Sequence, residues 1–297
     1  VEVDRIVVPS EFSKQGFINS IDKYKEIFDE QTKSNLSNFR TQMSDKITVV
    51  GYPVKDYTNV DLGIDFATDF NFLLVAQWGP RKNIEATIKN FYQEFRNDSD
   101  VGLIIKTNIV RNSYPDHYHV MKRIRFIKDE YADAKCKVYL LHGELTHDEI
   151  HSLYTHPKIK AMINFGHGEG FGLPLFEAAY CGLPVITHDF GGQKDFLYAE
   201  VDGKKKSLFT KVPYDVKPVQ PESVWRGVIE PESEWAYVKP YAVKSSMREC
   251  YKDHGRFKGQ AKKLKDYIIS NDKKQQYGQM TEFLVQKTAE NEDYVVL

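Results

Sequence analysis

Two glutamates, Glu169 and Glu177, stand eight positions apart across a run in which glycine recurs at 166, 168, 170 and 172. The segment reads His167-Gly168-Glu169-Gly170-Phe171-Gly172-Leu173-Pro174-Leu175-Phe176-Glu177. Glycines let a ligand approach the backbone closely. Pro174 suits the first turn of a helix that opens just after the glycines. Exposed amides and the positive end of the helix dipole would then form a site for an anion such as a diphosphate. The spacing excludes two common phosphate loops. No Gly-Lys-Ser/Thr follows, so the Walker pattern is absent. The dinucleotide pattern G-x-G-x-x-G fails too, because its third position would fall on Phe171 or Leu173. Asp189 stands about 20 residues on, where a dehydrogenase places its ribose acid.

Other polar residues compete for attention. His-Gly-Glu occurs at 142–144 and again at 167–169. The second copy resembles the H-x-E of zinc deaminases, but the P-C-x-x-C those enzymes also need is missing and Cys181 stands alone. The repeat is better read as two strand ends facing one cleft. Lys106, at another strand end, reads as structural. "GKKKS" at 203–207 reads as a solvated loop. The plain readings of Glu177, Glu169 and Lys82 are a surface helix acid, a helix cap and a solvent-facing helix residue.

These residues need elements to position them. From residue 70 a regular alternation sets in. "FNFLLVA" (70–76) is a continuous apolar run, as a strand buried on both faces requires. A helical pattern covers 82–95. Strand 101–107, a helix near 115–132, strand 137–143, helix 147–155, strand 159–165, the glycine loop, helix 173–182 and strand 183–189 follow. This predicts an α/β fold with a Rossmann-like, doubly wound parallel sheet. Ligands of such sheets bind beyond the carboxyl ends of the strands, which is where the glycine loop falls. "DRIVVP" (4–9) predicts a strand without a partner in the chain, and 46–54 a second strand. Residues 11–44 read as helical or irregular, 60–69 as a linker, 198–240 as irregular loop, and 241–290 as two or three amphipathic helices.

Composition narrows the class. With 41% hydrophobic and 28% charged residues, the chain suits a globular protein with a sizeable core. A formal net charge of -1 gives no global pull toward nucleic acid. The three cysteines, Cys136, Cys181 and Cys250, have neither metal-ligand nor disulfide spacing. A reducing, cytoplasmic setting is expected.

Glu169-Gly170-Phe171-Gly172-Leu173-Pro174, with Glu177, Ala178, Gly182, Pro184, Val185 and Ile186, resembles the signature of family 4 retaining glycosyltransferases, including its E-x7-E spacing. The likeness extends to "VAQWGPRKN" (75–83), similar to that family's phosphate-binding strand and loop. "YLLHGELTHDEIHSLY" (139–154) resembles its base-binding segment, and "VEVDRIVVPSEFSKQGF" (1–17) its last N-terminal strand and interdomain link. The resemblance implies the two-domain GT-B fold, of which this chain would hold the C-terminal, donor-binding domain with additional C-terminal helices.

It further implies a metal-independent hexosyl transfer from a nucleotide-diphosphate sugar, with no cofactor, to an unidentified glycan, lipid or protein acceptor. Glu169 and Lys82 would be catalytic. Glu169 would contact donor-sugar hydroxyls, and Lys82 would offset charge on the leaving diphosphate. Gly170, Phe171, Gly172 and Leu173 would hold phosphate and sugar by their amides. Glu177 would accept from the ribose hydroxyls, and the backbone at Glu144 and Leu145 would read the base. Gln77 stands where many members carry an Arg. Gln brings no charge, which shifts the electrostatic role toward Lys82 and Arg81.

The expected organisation is 1–45 as remnant of an acceptor domain and link, 46–270 as donor domain, and 271–297 as a helix packing back toward the N-terminal segment. Most of the acceptor domain would lie outside the chain. Two rival readings are a non-catalytic nucleotide-sugar-binding module and an NAD-dependent oxidoreductase, the latter resting on Asp189.

Overall fold

Strand β3, Phe70–Val75, is the axis of the molecule's main sheet, in a computed structural model that describes residues 5–23, 25–201 and 203–290. The first four residues of the segment 1–17 and residues 291–297 of the segment 271–297 lie outside the described residues. The chain divides into two compact units, one made of Val1–Lys55 with Ile269–Leu297, the other of Asp56–Ile268.

In the first unit, β1 (Ile6–Val8) pairs in parallel with β2 (Ile47–Val49), joined through helices α1 (Glu11–Lys23), α2 (Glu30–Ser34) and α3 (Leu36–Lys46). This corrects the expectation that the strand at 4–9 has no partner in the chain. Its partner is the strand expected to open the donor domain. Val8, Ile21, Ile47 and Val50 are buried, and the Lys14 ammonium donates to the Ile47 carbonyl at 3.1 Å.

The second unit is a six-stranded, wholly parallel sheet. In chain order its elements are β3, α4 (Ile84–Phe95), β4 (Val101–Lys106), α5 (Tyr114–Asp129), β5 (Lys137–Leu141), α6 (His147–Thr155), β6 (Ile159–Asn164), α7 (Leu173–Cys181) and β7 (Val185–Thr187). After α8 (Lys194–Leu197), β8 (Tyr198–Val201) and β9 (Lys204–Ser207) comes β10 (Thr210–Lys211). The spatial order is β10-β7-β6-β3-β4-β5. The chain winds outward from β3 to β5, then returns to lay β6 on the other side of β3. The switch point therefore lies between β3 and β6, where a crevice opens at the strand ends.

The apolar runs do what their patterning demands. Phe72, Leu74, Leu103, Ile105, Ala161 and Ile163 build one core with Ile84, Ile88, Phe91 and Phe95 of α4 and with Val243, Met247 and Phe257 of the C-terminal helices. By the pleat, Leu73, Ile104 and Met162 turn to the other face, where α6 and α7 pack on β6. Helix α6 starts with a reciprocal cap: Thr146 accepts from the Glu149 amide, and the Glu149 carboxylate from the Thr146 amide.

Two expectations are corrected. The stretch 60–69 is no free linker. The Val60 amide donates to Ser152 of α6, and Phe66 is buried against Tyr139 and His156. Residues 198–240 are more ordered than their prolines and lysines suggest. They hold the β8–β9 hairpin and the parallel edge strand β10. A second hairpin joins β11 (Tyr214–Pro218) to β12 (Glu234–Val238). In "GKKKS", Gly203 lies in the turn and the other four residues form the exposed strand β9. Helices α9 (Pro240–Lys252), α10 (His254–Ser270) and α11 (Lys274–Glu290) are the last of the described elements. Among the described residues no helix is long and apolar enough to cross a membrane.

Candidate active site

Strand β6 ends at Asn164 and the glycine run follows at once. Glu169 sits in the middle of that loop, 7% exposed. Its backbone forms a parallel bridge with Gly191, and the Gly192 amide donates to its carbonyl at 2.8 Å. Gly191 has φ +129°, and a Cβ there would come within 2.6 Å of the Glu169 carbonyl oxygen. Glycine is the residue that permits this approach. At the loop's end Gly172, with φ +89°, caps α7.

The β3 end supplies the opposite wall. A single 3-10 turn, Pro80–Lys82, and the left-handed Asn83 lead into α4. Asn83 donates to the Phe165 carbonyl at 3.0 Å, and the His167 amide to the Arg81 carbonyl at 2.7 Å. These bonds lock the two loops together across the switch point. The Lys82 ammonium donates to both oxygens of Glu169, at 2.6 and 2.8 Å. Arg81 reaches the same carboxylate at 3.2 Å and the Gly168 carbonyl at 2.5 Å. Asn164 donates to Glu169 Oε1 at 3.0 Å. Burial alone would raise the Glu169 carboxyl, but Lys82 and Arg81 outweigh it and hold the carboxyl below its ordinary value. Burial also lowers the Lys82 ammonium, and Glu169 restores only part of that. The short contacts to both oxygens fit an ion pair at neutral pH.

Beside this cluster opens a cavity of about 610 Å³, lined among others by Gln77, Arg81, Lys82, Lys106, Glu144 and Leu145. Pro174, in the first turn of α7, completes the wall. The Gln77 amide donates to the Ile109 carbonyl at 2.7 Å. The loop after β4 is held by Asp116, whose carboxylate accepts from the Ile109 and Val110 amides and from His142 at 2.9 Å.

The fold thus brings Glu169, Lys82 and Arg81 into contact and sets Gln77, Glu144 and Leu145 on the adjoining cavity. The other expected site residues are not among those that line this cavity. Glu177 is buried on α7 and accepts from the Tyr154 hydroxyl at 3.1 Å. The Phe171 ring packs on Phe176 and Phe196, so its side chain belongs to the core and only its backbone can face a ligand. Gly170 is exposed, Gly172 is buried and Leu173 is half-buried, all within the loop's turn into α7. The two His-Gly-Glu histidines do not share a cleft. His142 turns to Asp116, while His167 stacks on Trp235 at 5.0 Å and bonds the Ala236 carbonyl. Asp189 Oδ2 accepts from Tyr198 and Lys211, both at 2.7 Å, which engages one oxygen of the acid an oxidoreductase would use on ribose. Among the described residues no three His, Cys, Asp or Glu side chains converge as a metal site would require.

Sequence reasoning missed Asn164, Tyr154 and the reach of Lys106. A polar residue closing the apolar strand 159–164 is a signal that could have found Asn164. Nothing local in the sequence pairs Tyr154 with Glu177.

Residues 66–207 match the family model described as "Glycosyl transferases group 1". No curated protein matches the chain. Among solved structures, sucrose-phosphate synthase from Thermosynechococcus elongatus is similar over 96% of this chain and 59% of its own length, with TM-score 0.62 and 16% identity. Anabaena HepE in complex with UDP and glucose is similar over 95% of this chain and 63% of its own, with TM-score 0.59 and 14% identity. The pneumococcal O-GlcNAc transferase GtfA in complex with UDP and GlcNAc is similar over 96% of this chain and 45% of its own, with TM-score 0.57 and 15% identity. This chain therefore spans between 45% and 63% of those three. At such identity the likeness speaks for a shared fold.

Proposed function

We propose, from the match of residues 66–207 to the group 1 glycosyltransferase model, that the chain is the donor-binding part of a retaining, metal-independent hexosyltransferase that uses a nucleotide-diphosphate sugar. The observation that carries this reading is the meeting of Lys82 and Arg81 with Glu169 at the switch point, beside the 610 Å³ cavity. A diphosphate leaving group gathers negative charge as the glycosidic bond breaks, and a fixed cation there favours the transition state over the ground state. Lys82 is that cation. Glu169, an acceptor with two oxygens, holds hydroxyls of the sugar and so orients the anomeric carbon. The amides at Gly170, Phe171, Gly172 and Leu173 face phosphate and sugar, Glu177 takes the ribose, and the backbone at Glu144 and Leu145 reads the base.

Two solved relatives of this fold are complexes with UDP and a sugar, which supports a nucleotide-sugar donor here. Retention and a hexosyl group rest on the resemblance of the glycine segment. We extend the proposal to an acceptor site on a further, N-terminal domain, in line with the greater length of the similar structures. A cytoplasmic setting is supported by three buried, unpaired cysteines.

Calorimetry with nucleoside diphosphates and nucleotide sugars is the test. Binding at micromolar to millimolar levels is expected, weakened at least about tenfold in Lys82→Ala, or about 1.4 kcal/mol. No binding at millimolar concentration would sink the reading. Donor binding without transfer in the full-length protein would instead leave a non-catalytic module.

A further inference from the structure

Lys106 ends β4 on the strand next to β3, in register with Val75. The Ala76 amide donates to the Lys106 carbonyl, so Lys106 and Gln77 leave neighbouring strands side by side at the carboxyl edge of the sheet. Both line the cavity. The Lys106 ammonium donates to the Gly143 carbonyl at 2.6 Å, and among the described residues it makes no ion pair. The two other cations of the cavity differ in this respect. Arg81 and Lys82 share the carboxylate of Glu169. Burial pulls the Lys106 ammonium below its ordinary pKa, and the nearby charge of Glu144 only partly restores it.

A half-buried cation bonded to one neutral carbonyl, with the Glu144 carboxylate near but not in contact, has lost water without gaining a contact ion pair. It keeps two N–H donors, and an ammonium can only donate. We propose that Lys106 is a further anion-binding residue of the site, taking a non-bridging oxygen of the donor diphosphate and supplying the positive charge that Gln77, on the adjacent strand, does not bring. The inference rests on the donor reading for the identity of the anion. It assigns Lys106 a role different from the structural one its position in the sequence suggests.

The experiment uses the full chain and three probes in calorimetry: inorganic pyrophosphate, UDP and uridine. Lys106→Gln removes the charge but keeps an amide able to donate to the Gly143 carbonyl. It is expected to weaken pyrophosphate and UDP alike, at least about tenfold, and to leave uridine unchanged. Lys106→Arg should restore both anions. Moving the charge to the neighbouring strand, in Gln77→Arg combined with Lys106→Gln, should recover most of the lost affinity. A merely structural lysine would weaken uridine by the same factor, and that result overturns the proposal. So does unchanged pyrophosphate binding in Lys106→Gln. If that variant does not fold, as judged by its melting curve, Lys106→Met replaces it with the same expectations. Failure of the unaltered chain to bind any of the three probes overturns the donor reading itself, and this proposal with it.

Discussion

Glu169 is bonded to Lys82 and Arg81 in the unliganded chain. An arriving diphosphate would compete with this carboxylate as well as with water, so the lysine is held in place before a donor arrives. The pair has a pH signature. The Glu169 carboxyl lies below its ordinary value of 4.5 in the folded chain. Its stabilisation is therefore complete above that pH and fades as pH falls below it, toward the folded value. Glu169→Gln leaves Lys82 buried without its acid and should cost about 3 kcal/mol at pH 7, the low end for such a change because Lys82 keeps some exposure. Urea midpoints of the two proteins should differ by a constant stability between pH 6 and 8, and converge below 4.5. A gap that widens in acid would contradict the assignment. At this scale the sequence told which residue types matter, because glycine and glutamate spacing is local. It did not tell that Lys82 and Glu169 touch across 87 positions, nor that Lys106 would turn into the same cavity.

The loop 188–193 shapes the glycine segment from outside. Gly191 lies against the backbone of Glu169, Gln193 donates to the carbonyls of His188 and Phe190, and His188 bonds the Gly166 carbonyl. Gly191→Ala would press a methyl to 2.6 Å from the Glu169 carbonyl oxygen and 2.9 Å from its nitrogen, at a φ that side chains avoid. The expected loss is about 2 kcal/mol or more, read from the urea midpoint, together with weaker donor binding because Glu169 is displaced. Full retention of both would show that the loop is softer than its contacts imply. The strands and helices from 70 to 187 were legible, since long apolar runs and helical periodicity survive any tertiary context. The arm at 214–238 was not. Strand β11 is mostly exposed, β12 is short, and what fixes the arm is remote: Trp235 on the ring of His167, the Ala236 amide donating to the His167 carbonyl, and the His167 ring bonded to the Ala236 carbonyl.

Across the whole molecule, one continuous segment, 56–268, makes the parallel-sheet unit, while 1–55 and 269–297 together make the other. The sequence reading put a strand at 4–9 but found it no partner. The partner, Ile47–Val49, lies beyond three helices, a separation at which local pattern carries no pairing information. The smaller unit is also tied at long range, where the Val54 amide donates to Asp272 across 218 residues. That bond has a consequence in time. A chain emerging from its amino end has the whole of 56–268 available before Asp272 exists, so the sheet unit can fold while the other still waits for its second half. In refolding of the whole chain, joining 1–55 to 269–297 closes a loop of over 200 residues, so pulse-labelling hydrogen exchange should protect the amides of β3, β4 and β6 ahead of those of β1 and β2. Equal protection times would mean that the two units form in a single step. On the expected order, the segment that opens the chain is among the last to find its place.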